Sequence, residues 1–332
     1  MNPIDAVTHA DPYPYYAQLA QNSPLYFDDA LQMWIATSAD AVAAVLASER
    51  FRVRPPDEPV PRALAGSAAG DVFRRLVRMT DGTGHCPLKQ AISATLDSLQ
   101  PDDIPAVAER CARAFATPHE LMFSLPVTVV GTLLGLPDDA LPQLPSLVAE
   151  LVACFAPGAA ADARARGNAA AETLGTLFRR ALPHAGEQTL LATLARNAAR
   201  FGDDVVIANA IGFLTQSYDA TAGLIGNALL AGEQRSVDDV LRFDAPVQNT
   251  RRFVAEDGDV AGVAMRRGDV ILVVLAAAIH DRQRTFSFGS GAHACPARML
   301  ATTIAAAALA RLRWSGTARG YRPSTNARVP VL

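Results

Sequence analysis

The chain has 332 residues, half of them hydrophobic, and 30 Lys plus Arg against 33 Asp plus Glu give a formal net charge of -3. That length buries a sizeable core and suits one large domain spanning residues 1–332, while the acidic balance argues against nucleic acid as a partner. Cys86, Cys111, Cys154 and Cys295 are too few and too scattered for a disulfide framework, and Met1 to Pro12 holds no apolar run, so a reducing cytoplasm is expected, with no secretory leader and no membrane anchor.

Helix dominates the expected elements. Asp11-Pro12 opens a short Tyr-rich helix, and Leu25 to Ala36 reads as two short strands around Asp28-Asp29. Ser38 caps an amphipathic helix to Ser48. Phe51 to Gly70, punctuated by Pro55, Pro56, Pro59 and Pro61, reads as a long irregular loop. Helices follow over Val72 to Met79, Pro87 to Leu99, Pro105 to Ala116 and Pro126 to Leu134, the last stopped by Gly135-Leu136-Pro137. Ala140 to Phe155 and Asp162 to Leu182 form a further pair. Asp203 or Asp204 then caps an apolar helix running to about Leu230, long enough to cross a domain centre. Val260 to Leu275 alternates as strand, with a turn at Arg267-Gly268-Asp269, and Arg298 to Leu312 closes the pattern as an alanine-rich helix.

The stretch Phe286-Ser287-Phe288-Gly289-Ser290-Gly291-Ala292-His293-Ala294-Cys295-Pro296-Ala297 carries the chemistry. A cysteine ligates a metal as thiolate, and a helix N-terminus favours that negative charge. Pro296 suits a first helical position. Gly289 and Gly291, without Cβ atoms, let the backbone turn tightly and approach a flat bound object. Phe288 can pack on such an object, and His293 can donate a hydrogen bond to an anionic group on it. These features fit a haem whose iron is held by Cys295. A zinc site would need a second clustered pair of ligands, which the sequence does not offer beside His293 and Cys295; an isolated G-x-H-x-C is otherwise a turn with a structural cysteine.

The loop resembles that of the cytochrome P450 superfamily, F-x-x-G-x-x-x-C-x-G, often with histidine two residues before the cysteine. Phe288, Gly291, His293 and Cys295 match, and Ala297 stands where glycine is usual. The resemblance extends over nearly the whole chain. It implies a mainly α fold with a small β part, with haem b between the long central helix and the cysteine-loop helix. His85 and Lys89 stand where the family's H-x-x-x-R supplies donors to the haem propionates, with lysine in place of arginine. Arg252, in Ala245 to Arg252, stands at the spacing of a propionate-binding arginine, with Arg251 as the fallback. Leu125 to Pro137 matches another family stretch, structural in role.

Three departures accompany the matches. The central helix usually carries [A/G]-G-x-[D/E]-T, whose acid and alcohol relay protons; here Gln216-Ser217-Tyr218-Asp219-Ala220-Thr221 overlies it. Asp219 keeps the acid, but Ala220 takes the alcohol position. Thr221 lies one residue on, roughly 100° around the helix, and reaches the usual place only through a bulge. Ser217 or an ordered water is then the alternative proton carrier. Next, the family's E-x-x-R appears as Asp239-Val240-Leu241-Arg242, whose spacing permits a salt bridge. Last, the long meander before the cysteine loop is nearly absent, leaving Arg282 or Arg284 to replace the lost partner of Arg242.

The resemblance implies a monooxygenase that inserts one oxygen atom from O2 into a small, mostly hydrophobic organic substrate, with a separate ferredoxin- or flavodoxin-type electron donor. The roles it assigns are Cys295 as metal ligand; His85, Lys89, Arg252, His293, Phe288, Gly289 and Ala297 around the haem; and Asp219, Ser217 and Thr221 in catalysis. Peroxide-driven, coupling or rearrangement chemistry, or haem binding without turnover, are the alternatives that the departures raise.

Overall fold

A computed structural model describes residues 1–232, 235–280 and 285–332, which cluster into two compact units. The first comprises Met1–Asp57, Gly223–Arg298 and Arg313–Leu332, and the second Glu58–Ala222 and Met299–Leu312. Among the described residues helix predominates, and the two small sheets both belong to the first unit.

The first unit begins with α1 (Tyr13–Asn22), β1 (Leu25–Asp28) and β2 (Met33–Ala36). The hairpin turns because the Asp28 carboxylate accepts the N–H groups of Ala30 and Leu31, each at 3.0 Å, an Asx turn. Ser38 accepts the Ala41 N–H at 3.2 Å and so caps α2 (Ala39–Ala47), as its sequence predicts. Phe51 and Arg52 form β3, a strand inside the stretch expected to be irregular.

Helices build the second unit. Its α3 (Ala68–Arg75) starts earlier than expected because Ser67 caps it, accepting the Gly70 N–H at 3.1 Å. It also ends earlier, giving way to a 3-10 turn at Val77–Met79. α4 (His85–Asp97) and α5 (Asp103–Ala112) each begin before the proline taken as their start, since proline is tolerated throughout a first helical turn. A π turn at Glu120–Ser124 leads into α6 (Leu125–Leu133), followed by α7 (Leu144–Phe155) and α8 (Ala161–Ala181). α7 and α8 pack so closely at Gly167 that a Cβ there would lie 2.1 Å from Cys154 Cβ. Thr189 caps α9 (Leu190–Asn197), a helix that the sequence patterning did not reveal. α10 (Asp203–Ala231) is the long central helix, and it begins in this unit. Buried Asn209 fixes it, accepting the Val77 N–H and donating to the Arg75 and Val205 carbonyls, all at 2.9 Å.

The first unit resumes with α11 (Val237–Phe243), β4 (Thr250–Val254), β5 (Gly258–Val260), β6 (Val263–Met265) and β7 (Val270–Val273). The turn at Arg267 to Asp269 joins β6 to β7, as expected. The larger sheet has the order β1-β2-β7-β4-β3, with only the β2–β7 pairing parallel. Strand periodicity sorts its side chains onto two faces. Ile271, Val273 and Val254 pack with Ala41, Val42, Val45 and Leu46 of α2 and with Phe286; Leu272 and Val274 pack with Ile35, Tyr16 and Ala6. Arg328, 2% exposed, ties the unit's segments together. It pairs with Asp244 at 2.9 Å and donates to the carbonyls of Val7, His9 and Ala10. Finally, α12 (Arg298–Arg311) follows the cysteine loop. Pro296 therefore precedes the helix instead of occupying its first position.

Candidate functional site

In the first unit the cysteine loop is a closed turn. Gly289 N–H donates to the Phe286 carbonyl at 2.8 Å, a 3-10 turn covers Gly291–His293, and Cys295 N–H donates back to the Phe288 carbonyl at 2.8 Å. Gly289 and Gly291 adopt φ of +68° and +67°, a region that side-chain-bearing residues seldom enter. At Gly291 a Cβ would lie 2.5 Å from the Leu46 carbonyl oxygen, so glycine also lets the loop rest on the end of α2. Cys295 is a free thiol and exposed, while Phe288, His293 and Ala297 are half-buried.

β4 separates its two arginines by face. Arg252 is directly opposite Ile271, on the face packed with α2 and Phe286. Arg251 is opposite Leu272 and projects to the other face. The cysteine loop, seated on Leu46 and anchored through Phe286, is on the side of Arg252. This arrangement selects Arg252 over Arg251 as the arginine that shares a side with Cys295. Its guanidinium is buried and donates to Thr250 Oγ1 at 3.0 Å and to the Arg251 carbonyl at 2.9 Å.

The loop is also tied to α11. The Ser287 hydroxyl donates to the Leu241 carbonyl, Arg298 reaches Asp238 at 3.3 Å, and the Arg298 guanidinium lies 5.6 Å from the Phe288 ring centre. Asp239, whose spacing from Arg242 permits a salt bridge, uses its carboxylate in a capping box. It accepts the Ser236 N–H at 3.0 Å and the Ser236 hydroxyl at 2.7 Å, while Ser236 Oγ accepts the Asp239 N–H at 3.1 Å. The hydroxyl and N–H of Ser236, in that order, hold the Asp239 carboxyl below its ordinary range; Arg242 adds the least among the causes. A carboxyl with a lowered folded-state value stabilises the fold above the usual carboxylate range and loses that contribution as pH falls through the folded value. The stability difference between the native chain and Asp239→Asn is therefore expected at neutral pH and should shrink on acidification, as urea unfolding across the acid range would record. Arg282 and Arg284, expected to replace the lost partner of Arg242, lie outside the described residues.

In the second unit, His85 is the first residue of α4 and is buried, with Nδ1 3.4 Å from Thr80 Oγ1. Lys89 follows four residues later, so the two share a helix face as their spacing predicts. On α10, Asp219 is half-buried, Thr221 is buried, and the Ser217 hydroxyl donates to the Leu214 carbonyl at 2.8 Å. Gln216 Nε2 donates to the Gly212 carbonyl at 3.0 Å. The helix is continuous α from Asp203 to Ala231, with no π segment, so the bulge that would bring Thr221 round to the usual alcohol position is absent. Ser287, Ser236 and Leu46 were not identified from the sequence. The S-x-x-D spacing of Ser236 and Asp239 is a legible capping signal; nothing in the local sequence points Ser287 to Leu241 or Gly291 to Leu46.

No family model matches the chain. Curated relatives do. The chain is 26% identical to the cytochrome P450 monooxygenase PikC of Streptomyces venezuelae, over 90% of this chain and 83% of that one. It is 23% identical to a biotin biosynthesis cytochrome P450 of Bacillus subtilis, over 88% of this chain and 85% of the relative. Among solved structures, CalO2 superposes with a TM-score of 0.85 at 24% identity, covering 99% of this chain and 96% of that one. The fold is the one seen in cytochrome P450 structures, and the cysteine loop fits a haem-thiolate type of protein. The chain is similar over most of its length to cytochrome P450s, and the relatives it matches are named cytochrome P450 monooxygenases, oxidoreductases that use haem with a cysteine thiolate as axial ligand.

The residues present fit that cofactor. Among the described residues no group of three or more His, Cys, Asp or Glu is placed to hold a bare metal ion. An iron that brings four ligands with its macrocycle needs only one protein donor beneath it. Cys295 offers that donor from a loop whose two glycines clear the backbone, and Arg252 supplies a buried cation on the same side of the sheet. No helix among the described residues is long and apolar enough to cross a membrane.

Proposed function

We propose that the chain acts as one P450-like domain in the cytoplasm. It inserts one oxygen atom from O2 into a small, mostly hydrophobic organic substrate and takes electrons from a separate ferredoxin- or flavodoxin-type donor. The observation that carries this is the exposed Cys295 thiol in its two-glycine loop, with Arg252 on the sheet face to which that loop is anchored.

Bound haem supplies an iron whose dioxygen chemistry the thiolate's electron donation tunes. Everything else falls to the chain. Cys295 would hold the iron, Gly289 leaves the backbone clear for the macrocycle, and Phe288 would pack on it. Arg252 would pair with a propionate, a charge-assisted contact that its burial would strengthen. His85, Lys89 and His293 are further propionate donors, and Ala297 adds a methyl where the family has glycine. Asp219 holds a proton on its carboxyl and releases it toward the substrate side through an ordered water, because the Ser217 hydroxyl, two residues away, is roughly 200° around the unbroken helix and reaches that water only from the other side. Thr221 is turned away from Asp219 by its place on an unbroken helix and contributes packing.

That unbroken helix also favours a second reading, in which peroxide, coupling or rearrangement chemistry replaces the usual relay. Substrate-dependent oxygen uptake with generic redox partners supports the monooxygenase; turnover with peroxide alone supports the second reading; haem binding without either indicates a protein that no longer turns over. Asp219→Asn should lower product formation by roughly a hundredfold, the usual scale for general acid–base catalysis, while oxygen consumption continues uncoupled. Unchanged rate and coupling in that variant would remove Asp219 from the mechanism.

A further inference from the structure

The cysteine loop is held by a side chain to which neither the loop motif nor the sequence comparison assigns a role. α11 ends at Phe243, so the Leu241 carbonyl belongs to the last turn, whose carbonyls lack intrahelical donors. The Ser287 hydroxyl donates to it. Ser287 is bonded to Phe288, and the Phe288 carbonyl accepts the Cys295 N–H at 2.8 Å. A continuous path therefore runs from the end of α11 through Ser287 and Phe288 to the backbone of Cys295. Arg298, on the far side of the loop, reaches Asp238 of the same helix, but that pair is exposed at both ends and contributes little. Of these two ties between loop and helix, the Ser287 bond is the partly buried one.

We propose that Ser287 is a positioning residue. By satisfying the Leu241 carbonyl, its hydroxyl fixes the Phe288 carbonyl and so orients the Cys295 sulfur for axial ligation. The inference rests on the haem-thiolate reading above.

The test compares native protein, Ser287→Ala, Ser287→Cys and Ser287→Thr, each loaded with haem, reduced and exposed to carbon monoxide. Hydrogen exchange at the Cys295 amide is measured in parallel. Ser287→Ala removes the donor and leaves the carbonyl unsatisfied; Ser287→Cys is nearly isosteric but a poor donor and serves if the alanine variant does not fold. Both are expected to shift a substantial fraction of the haem from the thiolate-type to the thiol-type carbon monoxide band. Cys295 amide exchange should accelerate about fivefold, the scale of one lost hydrogen bond. Ser287→Thr keeps the hydroxyl and should restore both signals. Native-like spectra and exchange in the alanine and cysteine variants would overturn the proposal, as would failure of threonine to rescue. A native protein without a thiolate-type band would instead overturn the haem-thiolate reading, a result distinguishable from either.

Discussion

Cys295→Ser is expected to yield a folded chain in which the thiolate-type carbon monoxide band is lost and substrate oxidation falls to background. Cys295 is exposed, and the loop hydrogen bond at this position is made by its backbone N–H to Phe288, which serine keeps. Surface substitutions of this kind usually change stability by no more than about 0.5 kcal/mol. The side chain's contribution is instead electronic. A thiolate donates charge to iron that a serine hydroxyl, protonated at neutral pH, does not. Far-UV circular dichroism and urea unfolding should match the native protein while spectrum and product formation do not. A variant that retained both would remove Cys295 as the ligand.

The largest stability loss is expected from Gly291→Ala. An alanine there must hold φ near +67° and place its Cβ 2.5 Å from the Leu46 carbonyl oxygen and 3.3 Å from the Leu46 carbonyl carbon. The torsion alone costs about 1–2 kcal/mol. The contact adds more, because the obstacle is backbone at the end of α2, and Val45 and Leu46 are packed into the core beneath it. Together they should cost about 3 kcal/mol, read as a lowered urea midpoint. Gly289→Ala provides the contrast. Its φ is also positive, at +68°, but its nearest neighbour to an added Cβ is 3.7 Å away, so only the torsional cost of about 1 kcal/mol is expected. Equal losses in the two variants would show that the loop does not rest on α2 as described.

What the sequence disclosed follows how local each signal is. The cysteine loop, the Asp28 hairpin and the Ser38 cap are written in adjacent residues, and each is found where expected. The long central helix was legible from its apolar run, and it is continuous α where a bulge would be needed to bring Thr221 round. Other features depend on partners distant in sequence. That Arg252, and not Arg251, shares a side with the cysteine loop follows from its register with Ile271 and from the position of α2, neither of which the arginines' own neighbourhood encodes. The D-x-x-R spacing of Asp239 and Arg242 permits a salt bridge, but the carboxylate goes to Ser236, three residues before it, whose S-x-x-D spacing is the local signal for a capping box. α9 was missed because only Leu190, Leu191 and Leu194 mark its buried face, too short a run for periodicity to stand out.

The central claim is that Cys295 presents a thiolate to a haem iron. The most direct measurement is the carbon monoxide difference spectrum of the reduced, haem-loaded native protein. A long-wavelength Soret band of the thiolate-ligated type is the result predicted. A band of the histidine- or thiol-ligated type, or no haem uptake at all, would contradict it.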